Sequence, residues 1–158
     1  FDQSFDSLAK KLGSRPFLSL LKDQKYLDWR YRECPGKVYK LFRAGGQEAR
    51  GAIVLNVSGA VQDEGWVVDL ICLPEDEACA HALIRQALMF FKEQKVSRIY
   101  AFATLGIARK WFRRFGFVPT GRSPKFTFRV QGKNLNSSEL SRLSWSFWHG
   151  DGDIELYM

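Results

Sequence analysis

The hydrophobic pattern changes period several times along the chain. Phe5, Leu8 and Leu12 recur at helical spacing, which predicts a helix over 2–12 with Ser4 as its N-cap and Gly13 at its end. A short apolar link, 15–21, follows. A second helix opens at Asp23, carries Tyr26, Leu27, Arg30 and Tyr31, and stops before Cys34-Pro35-Gly36. The period then falls to two. Val38, Lys40, Phe42 and Ala44 share one face of a predicted strand 38–44, Gly45-Gly46 turns the chain, and a second strand spans 49–57. After a loop at 58–64, the run 65–73 is almost continuously apolar, which predicts a central strand covered on both faces.

Pro74 breaks that strand. A long helix is expected from Asp76 or Glu77 to about Gln94, with Ala80, Leu83, Ile84, Ala87, Leu88 and Phe91 along its buried stripe. A strand at 97–103 and an amphipathic basic helix at 106–115 follow, and Gly116 stands where helices commonly end. Two further strands are expected at 117–120 and 125–130, then a polar loop at 131–138, a strand-like stretch at 143–148 and an acidic, Gly-rich turn. The order α-α-β-β-β-α-β-α-β-β indicates one mixed α/β (α+β) domain. Its strand-helix-strand unit at 65–103 is expected to be a right-handed parallel crossover. The chain divides into N-terminal helices (1–35), antiparallel strands (36–73), a second half (74–130) and a C-terminal loop and strand (131–158).

Composition narrows the class. With 158 residues and 46% hydrophobic positions, one domain with a sizeable core is expected. No stretch approaches the roughly 18 apolar residues of a membrane span, and the first residues lack a signal-peptide apolar region. Cys34, Cys72 and Cys79 are odd in number and lack metal-ligand spacing, so reduced thiols in a cytoplasmic protein without metal are expected. A net charge of +7 attracts polyanions, and nucleic acid or a phosphorylated cofactor satisfies it equally.

Four stretches carry a resemblance: YLDWRYRECPGKVY before two hairpin strands, the apolar strand ending in Leu73-Pro74, the long helix after it, and ARKWFRRFGF closing the next helix. Their order and spacing over residues 26–130 resemble the GNAT superfamily of acyl-CoA-dependent N-acyltransferases. The tail WSFWHGDGD resembles the ending of a bacterial subgroup with two tandem GNAT domains. The resemblance implies a GNAT-like fold, here without a convincing first strand, and acetyl-CoA or another acyl-CoA as co-substrate. It implies an acyl transfer to the primary amine of a small molecule or peptide. The chain starts at Phe1 and is read as a fragment or as the C-terminal half of a longer tandem protein.

The resemblance also assigns residues. The pantetheine arm would lie along the strand backbone at Ile71, Cys72 and Leu73. The pyrophosphate would sit on the helix start at Ala78, Cys79, Ala80 and His81, where unpaired N–H groups and the helix dipole favour anions. Arg109 and Phe112 on the closing helix would complete the cofactor side. Two departures stand out. The phosphate-loop pattern falls on Glu75, Ala78 and Ala80, so that Glu75, Asp76 and Glu77 place three carboxylates where phosphates would bind. The usual Tyr general acid is Phe112 and the usual Asn falls near Leu105, so either Tyr100 or Cys72 donates the proton, or water does, or no acyl transfer occurs.

Asp69, among Val67, Val68, Leu70 and Ile71, is the candidate general base; its alternative is a structural pairing with an arginine or a polar edge. His81 is expected to face solvent. Arg109, Lys110, Arg113 and Arg114 form a basic face that is either solvated, in contact with a cofactor phosphate, or a nucleic-acid surface; Trp111, Phe112 and Phe115 point the other way. Trp29-Arg30-Tyr31 either lines an acceptor cleft or packs, the latter being favoured. Asp151 and Asp153 lack the spacing of a metal loop and read as a solvated turn. Two main functions follow: an acyltransferase, or a catalytically degenerate domain acting as a binding or structural module beside an active sister domain. A nucleic-acid-binding domain is least favoured, and no membrane partner is expected.

Overall fold

A computed structural model of the chain describes residues 1–58, 63–121 and 144–151. Its centre is a four-stranded sheet in the order β2 (Lys40–Ala44), β3 (Gly51–Ser58), β4 (Glu64–Cys72), β5 (Arg98–Ala101). The β2/β3 and β3/β4 pairs are antiparallel and β4/β5 is parallel. The parallel pair is joined through α3 (Glu77–Glu93), as the strand-helix-strand pattern requires.

Both faces of the sheet are covered, and the alternation along β3 and β4 decides which residue goes where. Ile53, Leu55, Val67 and Leu70 face α3 and α4 (Gly106–Arg114), meeting Leu83, Ile84, Phe91 and Trp111. Ala52, Val54, Val68 and Ile71 face α1 (Ser4–Gly13) and α2 (Gln24–Tyr31), meeting Phe5, Leu8, Leu27 and Tyr31. Burying one such side chain stabilises the fold by about 1.5–3 kcal/mol.

One irregularity positions the site. The β3/β4 register runs Val54 to Asp69 and then Leu55 to Val67, so Val68 is a bulge with no partner. A bulge turns two consecutive side chains to one face. Val68 and Asp69 therefore both point at the α1/α2 side, although Val67 and Leu70 flank them on the α3 side.

The β4/β5 ladder ends at Val67–Ala101, one residue before the bulge. Beyond it the two strands diverge. A second, small parallel sheet stands beside the opening: β1 (Phe17–Ser19) paired with β6 (Ser144–Ser146). Thr104 ties the continuation of β5 to the β6 segment. Its hydroxyl donates to the Trp145 carbonyl (2.6 Å) and accepts from the Phe147 N–H (2.8 Å), and Ala103 bridges Trp148.

Several expectations change. The 15–21 link contains β1, because its backbone finds a partner at the far end of the chain. The strand predicted from Val38 starts at Lys40, leaving Val38 exposed. Ser4 lies inside α1, where Gln3 is the N-cap and the Asp2 carboxylate takes the Ser4 N–H. Residues 117–120 form a loop that pairs with no strand among the described residues. The predicted strand 125–130 and the loop 131–138 lie outside the described residues. Among the described residues no helix is long and apolar enough to cross a membrane.

Gly65 on β4 tests the packing of α3. A Cβ there would lie 2.5 Å from the ring of Phe91, which is fully buried. Gly65→Ala is expected to lower the unfolding free energy by about 1–3 kcal/mol through overpacking. Urea denaturation measures it, and an unchanged midpoint would show that the ring has room to move.

Candidate functional site

Asp69 has no exposed surface. Its Oδ2 accepts a hydrogen bond from Lys22 Nζ at 2.6 Å and one from the Tyr31 hydroxyl at 2.8 Å. Lys22 lies just before α2, and its ammonium also contacts Asp151 Oδ1 at 2.7 Å. Asp151 ends a single 3-10 turn, His149–Asp151, and its Oδ2 takes the Trp148 N–H at 2.8 Å. Four segments distant in sequence thus converge on the bulge: the end of the α1–α2 link, α2, β4 and the C-terminal turn. The turn fits tightly, since a Cβ on Gly150 would lie 2.2 Å from the Tyr31 hydroxyl and 2.9 Å from Val68. Arg30 clamps it from outside through Nε–H to the Gly150 carbonyl, 2.8 Å.

Burial sets the electrostatics. It pushes the Asp69 carboxyl up to about 6, with the Asp151 charge adding to the effect while the bonds from Lys22 and Tyr31 oppose it. Burial alone would drive Lys22 towards the neutral amine, yet Asp69 and Asp151 override it and its pKa is raised. Tyr31 is likewise raised by burial and by the two carboxylates, so it keeps its proton and donates. Asp69 Oδ1, although buried, has no hydrogen-bond partner among the described residues. The sequence alternative of an arginine partner or a polar edge is thereby replaced by a lysine partner in the core.

Beside this cluster lies a cavity of about 30 Å³, room for little more than a water. Lys22, Leu70, Ile71, Cys72, Ala108 and Trp148 are among its walls, which places it between the end of β4, α4 and the β1/β6 pair. Tyr100, the other proposed catalytic residue, lies at the paired end of those strands. It stacks on Trp66 at 4.6 Å, and His149 stacks on the other side of Trp66 at 4.8 Å. Phe112 packs edge-on against Phe117 and Trp148, so the position of the usual acid belongs to the core.

The helix start reads differently from the sequence. Glu75, Asp76 and Glu77 are not bare anions. Glu75 pairs with Arg15, Arg50 grips Asp76 with two bonds of 2.7 and 3.0 Å, and Glu77 pairs with Arg114. Asp76 also caps α3, accepting the Cys79 N–H at 3.1 Å. A carboxylate therefore already occupies one donor at the end where a pyrophosphate would bind. The N–H groups of Glu77 and Ala78 have no acceptor among the described residues. Leu73 and Asp76 close a turn around Pro74, and Ala80 is buried in the first turn of α3. The Cys72 thiol donates to the Leu73 and Asp76 carbonyls at 3.5 and 3.4 Å, and its closeness to Cys79 raises the Cys72 thiol and lowers the Cys79 thiol.

Other candidates resolve as follows. His81 is partly covered between α3 and α4, edge-on to Phe115 at 5.3 Å, so it does not simply face solvent. Arg109, Lys110, Arg113 and Arg114 form the exposed face of α4 over buried Trp111 and Phe112, while Phe115 is half-buried. Trp29 packs its ring against Tyr26 at 5.9 Å, as expected, although it stays 60% exposed, whereas its neighbour Tyr31 turns inward. Asp151, read as part of a solvated turn, has its side chain buried against Lys22, which neutralises it there; Asp153 lies outside the described residues. Sequence reasoning singled out neither Lys22 nor Trp66. A lysine placed directly after Leu20-Leu21 and before the helix cap Asp23 was the available signal for the first.

No family model matches the sequence, and no curated protein does. Solved structures resemble the fold. One is a provisionally assigned acetyl transferase from Pyrococcus furiosus, 14% identical, with a TM-score of 0.55 over 81% of this chain and 91% of that one. Another is an integron cassette protein from the mobile metagenome of Cole Harbour Salt Marsh, 16% identical, with a TM-score of 0.50 over 80% of this chain and 81% of that one. The chain has a mixed α/β fold similar to that of an acetyltransferase.

The cluster predicts a pH signature. Asp69 moves from 3.8 to about 6 on folding. Between those values the native chain holds a proton that the unfolded chain has released, so this group's stabilisation is lost as pH rises through the window. The unfolding free energy of the wild type minus that of Asp69→Asn should therefore fall as pH rises from 3.8 to about 6. Denaturant titration at several pH values measures the difference, and a flat difference would mean that Asp69 does not titrate there.

Proposed function

We propose that this domain is an acyltransferase of the GNAT type, moving an acetyl or other acyl group from acyl-CoA to a primary amine at the β4 bulge. The observation that carries this reading is Asp69: buried, pushed up to about 6, and with Oδ1 free of any partner among the described residues, beside the point where β4 leaves β5. A base poised near neutral pH suits proton removal from an ammonium. In the step, the amine nitrogen bonds to the thioester carbonyl carbon and gives its proton to Asp69. The carbon–sulfur bond then breaks, and the thiolate takes a proton from Tyr100 or Cys72.

On the cofactor side, the backbone of Ile71, Cys72 and Leu73 would carry the pantetheine arm. The free N–H groups of Glu77 and Ala78, with Cys79, Ala80 and His81 close by, would face the pyrophosphate. Arg109, exposed on α4 beside Phe112, is a further phosphate contact. Binding would require phosphate to compete with Glu75, Asp76 and Glu77 for the three arginines that hold them.

The second reading is a degenerate module beside an active sister domain. It is favoured by the capping carboxylate of Asp76 and by the burial of Phe112 in place of an acid. Calorimetric titration with acetyl-CoA separates the two. Saturable heat with micromolar affinity supports the enzyme; no heat at millimolar ligand leaves the module. Where binding occurs, Glu75→Gln is expected to tighten it a few-fold by freeing Arg15. Asp69→Asn should slow acylation of an amine by about 100-fold or more. Of Tyr100→Phe and Cys72→Ser, the one that slows turnover identifies the proton donor.

A further inference from the structure

We infer that the space between Asp69 and Asp151 is a binding site for an unbranched primary alkylammonium, which the chain fills with its own Lys22. The inference rests on the acyl-transfer reading only in calling this the acceptor site; the binding claim stands on geometry alone. Lys22 lies 2.6 Å from one buried carboxylate and 2.7 Å from another, and these come from elements on opposite sides of the site. Tyr26 and Tyr31 from α2 stand beside the cluster, and Arg30 holds the turn that carries Asp151.

Three features separate this from an ordinary buried ion pair. Lys22 comes from the irregular end of the α1–α2 link rather than from the middle of a helix or strand. Its side chain lines the cavity between the end of β4, α4 and the β1/β6 pair, so it borders a void rather than being packed on every side. And Asp69, the group that would accept an acceptor's proton, is the group Lys22 holds, with Oδ1 still unpartnered among the described residues. An incoming amine would reproduce the contacts of Lys22 and displace it. A quaternary ammonium lacks the N–H donors that the carboxylates take.

Two measurements without acyl-CoA test the site. For Lys22→Ala, n-propylamine, the severed part of the side chain, should raise the melting temperature saturably, whereas tetramethylammonium at equal ionic strength should not. On the wild-type chain, which avoids any folding defect of the variant, n-propylamine should speed hydrogen exchange of the backbone at 14–23 by about 10-fold as Lys22 leaves. Exchange unchanged by the amine, with no saturable shift in the folded variant, would overturn the inference and leave Lys22 as a structural counter-ion. A third measurement adds acetyl-CoA and follows N-propylacetamide. Lys22→Ala should form it at least about 10-fold faster than wild type at subsaturating amine, because the internal competitor is gone. Amine binding without product would sink the acyl-transfer reading and leave the amine site standing. Product formed equally by both proteins would sink the self-occupied site and leave acyl transfer standing.

Discussion

The bulge at Val68 sets the geometry on which the rest of the site depends. A regular β4 would send Asp69 to the face opposite Val68, where α3 packs an apolar stripe and no cation waits. With one extra residue, Val68 and Asp69 share the α1/α2 face, and Asp69 meets Tyr31 and Lys22. The same point ends the β4/β5 ladder, so the carboxylate stands where the sheet opens. The C-terminal turn then packs on the bulge itself, with Gly150 against Val68 and Tyr31. One local break in register thereby joins the opening in the sheet, the charge cluster and the docking of the tail.

Much of the scaffold was legible in the sequence because it rests on local pattern. The apolar run of β4, the stripe of α3 and the placement of Gly116, which adopts a φ of +85°, each predicted their element. Long-range pairings were not legible. β1 has only three residues and exists because β6 pairs with it, and nothing in Phe17-Leu18-Ser19 announces that partner. Val67-Val68-Asp69 carries no sign of a bulge, since a bulge is a property of the ladder rather than of one strand. Asp151 in a Gly-rich acidic turn reads as solvated until Lys22 is seen to bury it.

The acidic start of α3 shows how sequence proximity misleads in the other direction. Three adjacent carboxylates look like a repulsive cluster along the chain. In space, Arg15 from the α1–α2 link, Arg50 from the strand edge and Arg114 from the end of α4 each take one of them. These pairs are largely exposed, so each adds little stability. Their effect is on the local field, which is close to neutral instead of strongly negative. An anion arriving there meets arginines that can exchange partners, together with a helix end one of whose donors Asp76 already holds.

The two ends of the opening therefore differ in charge balance. At the helix start, three acids face three arginines. At the bulge, two buried carboxylates share one ammonium; burial lifts Asp69 to about 6, and the Asp151 charge adds to it. Low dielectric magnifies that contribution, because neither carboxylate has water to spread its charge. The bulge site relieves its charge by taking up a proton, while the helix start balances its acids with arginines. The two clusters thus differ in kind: the helix start is an exposed exchange of acids and arginines, whereas the bulge holds its charges out of water.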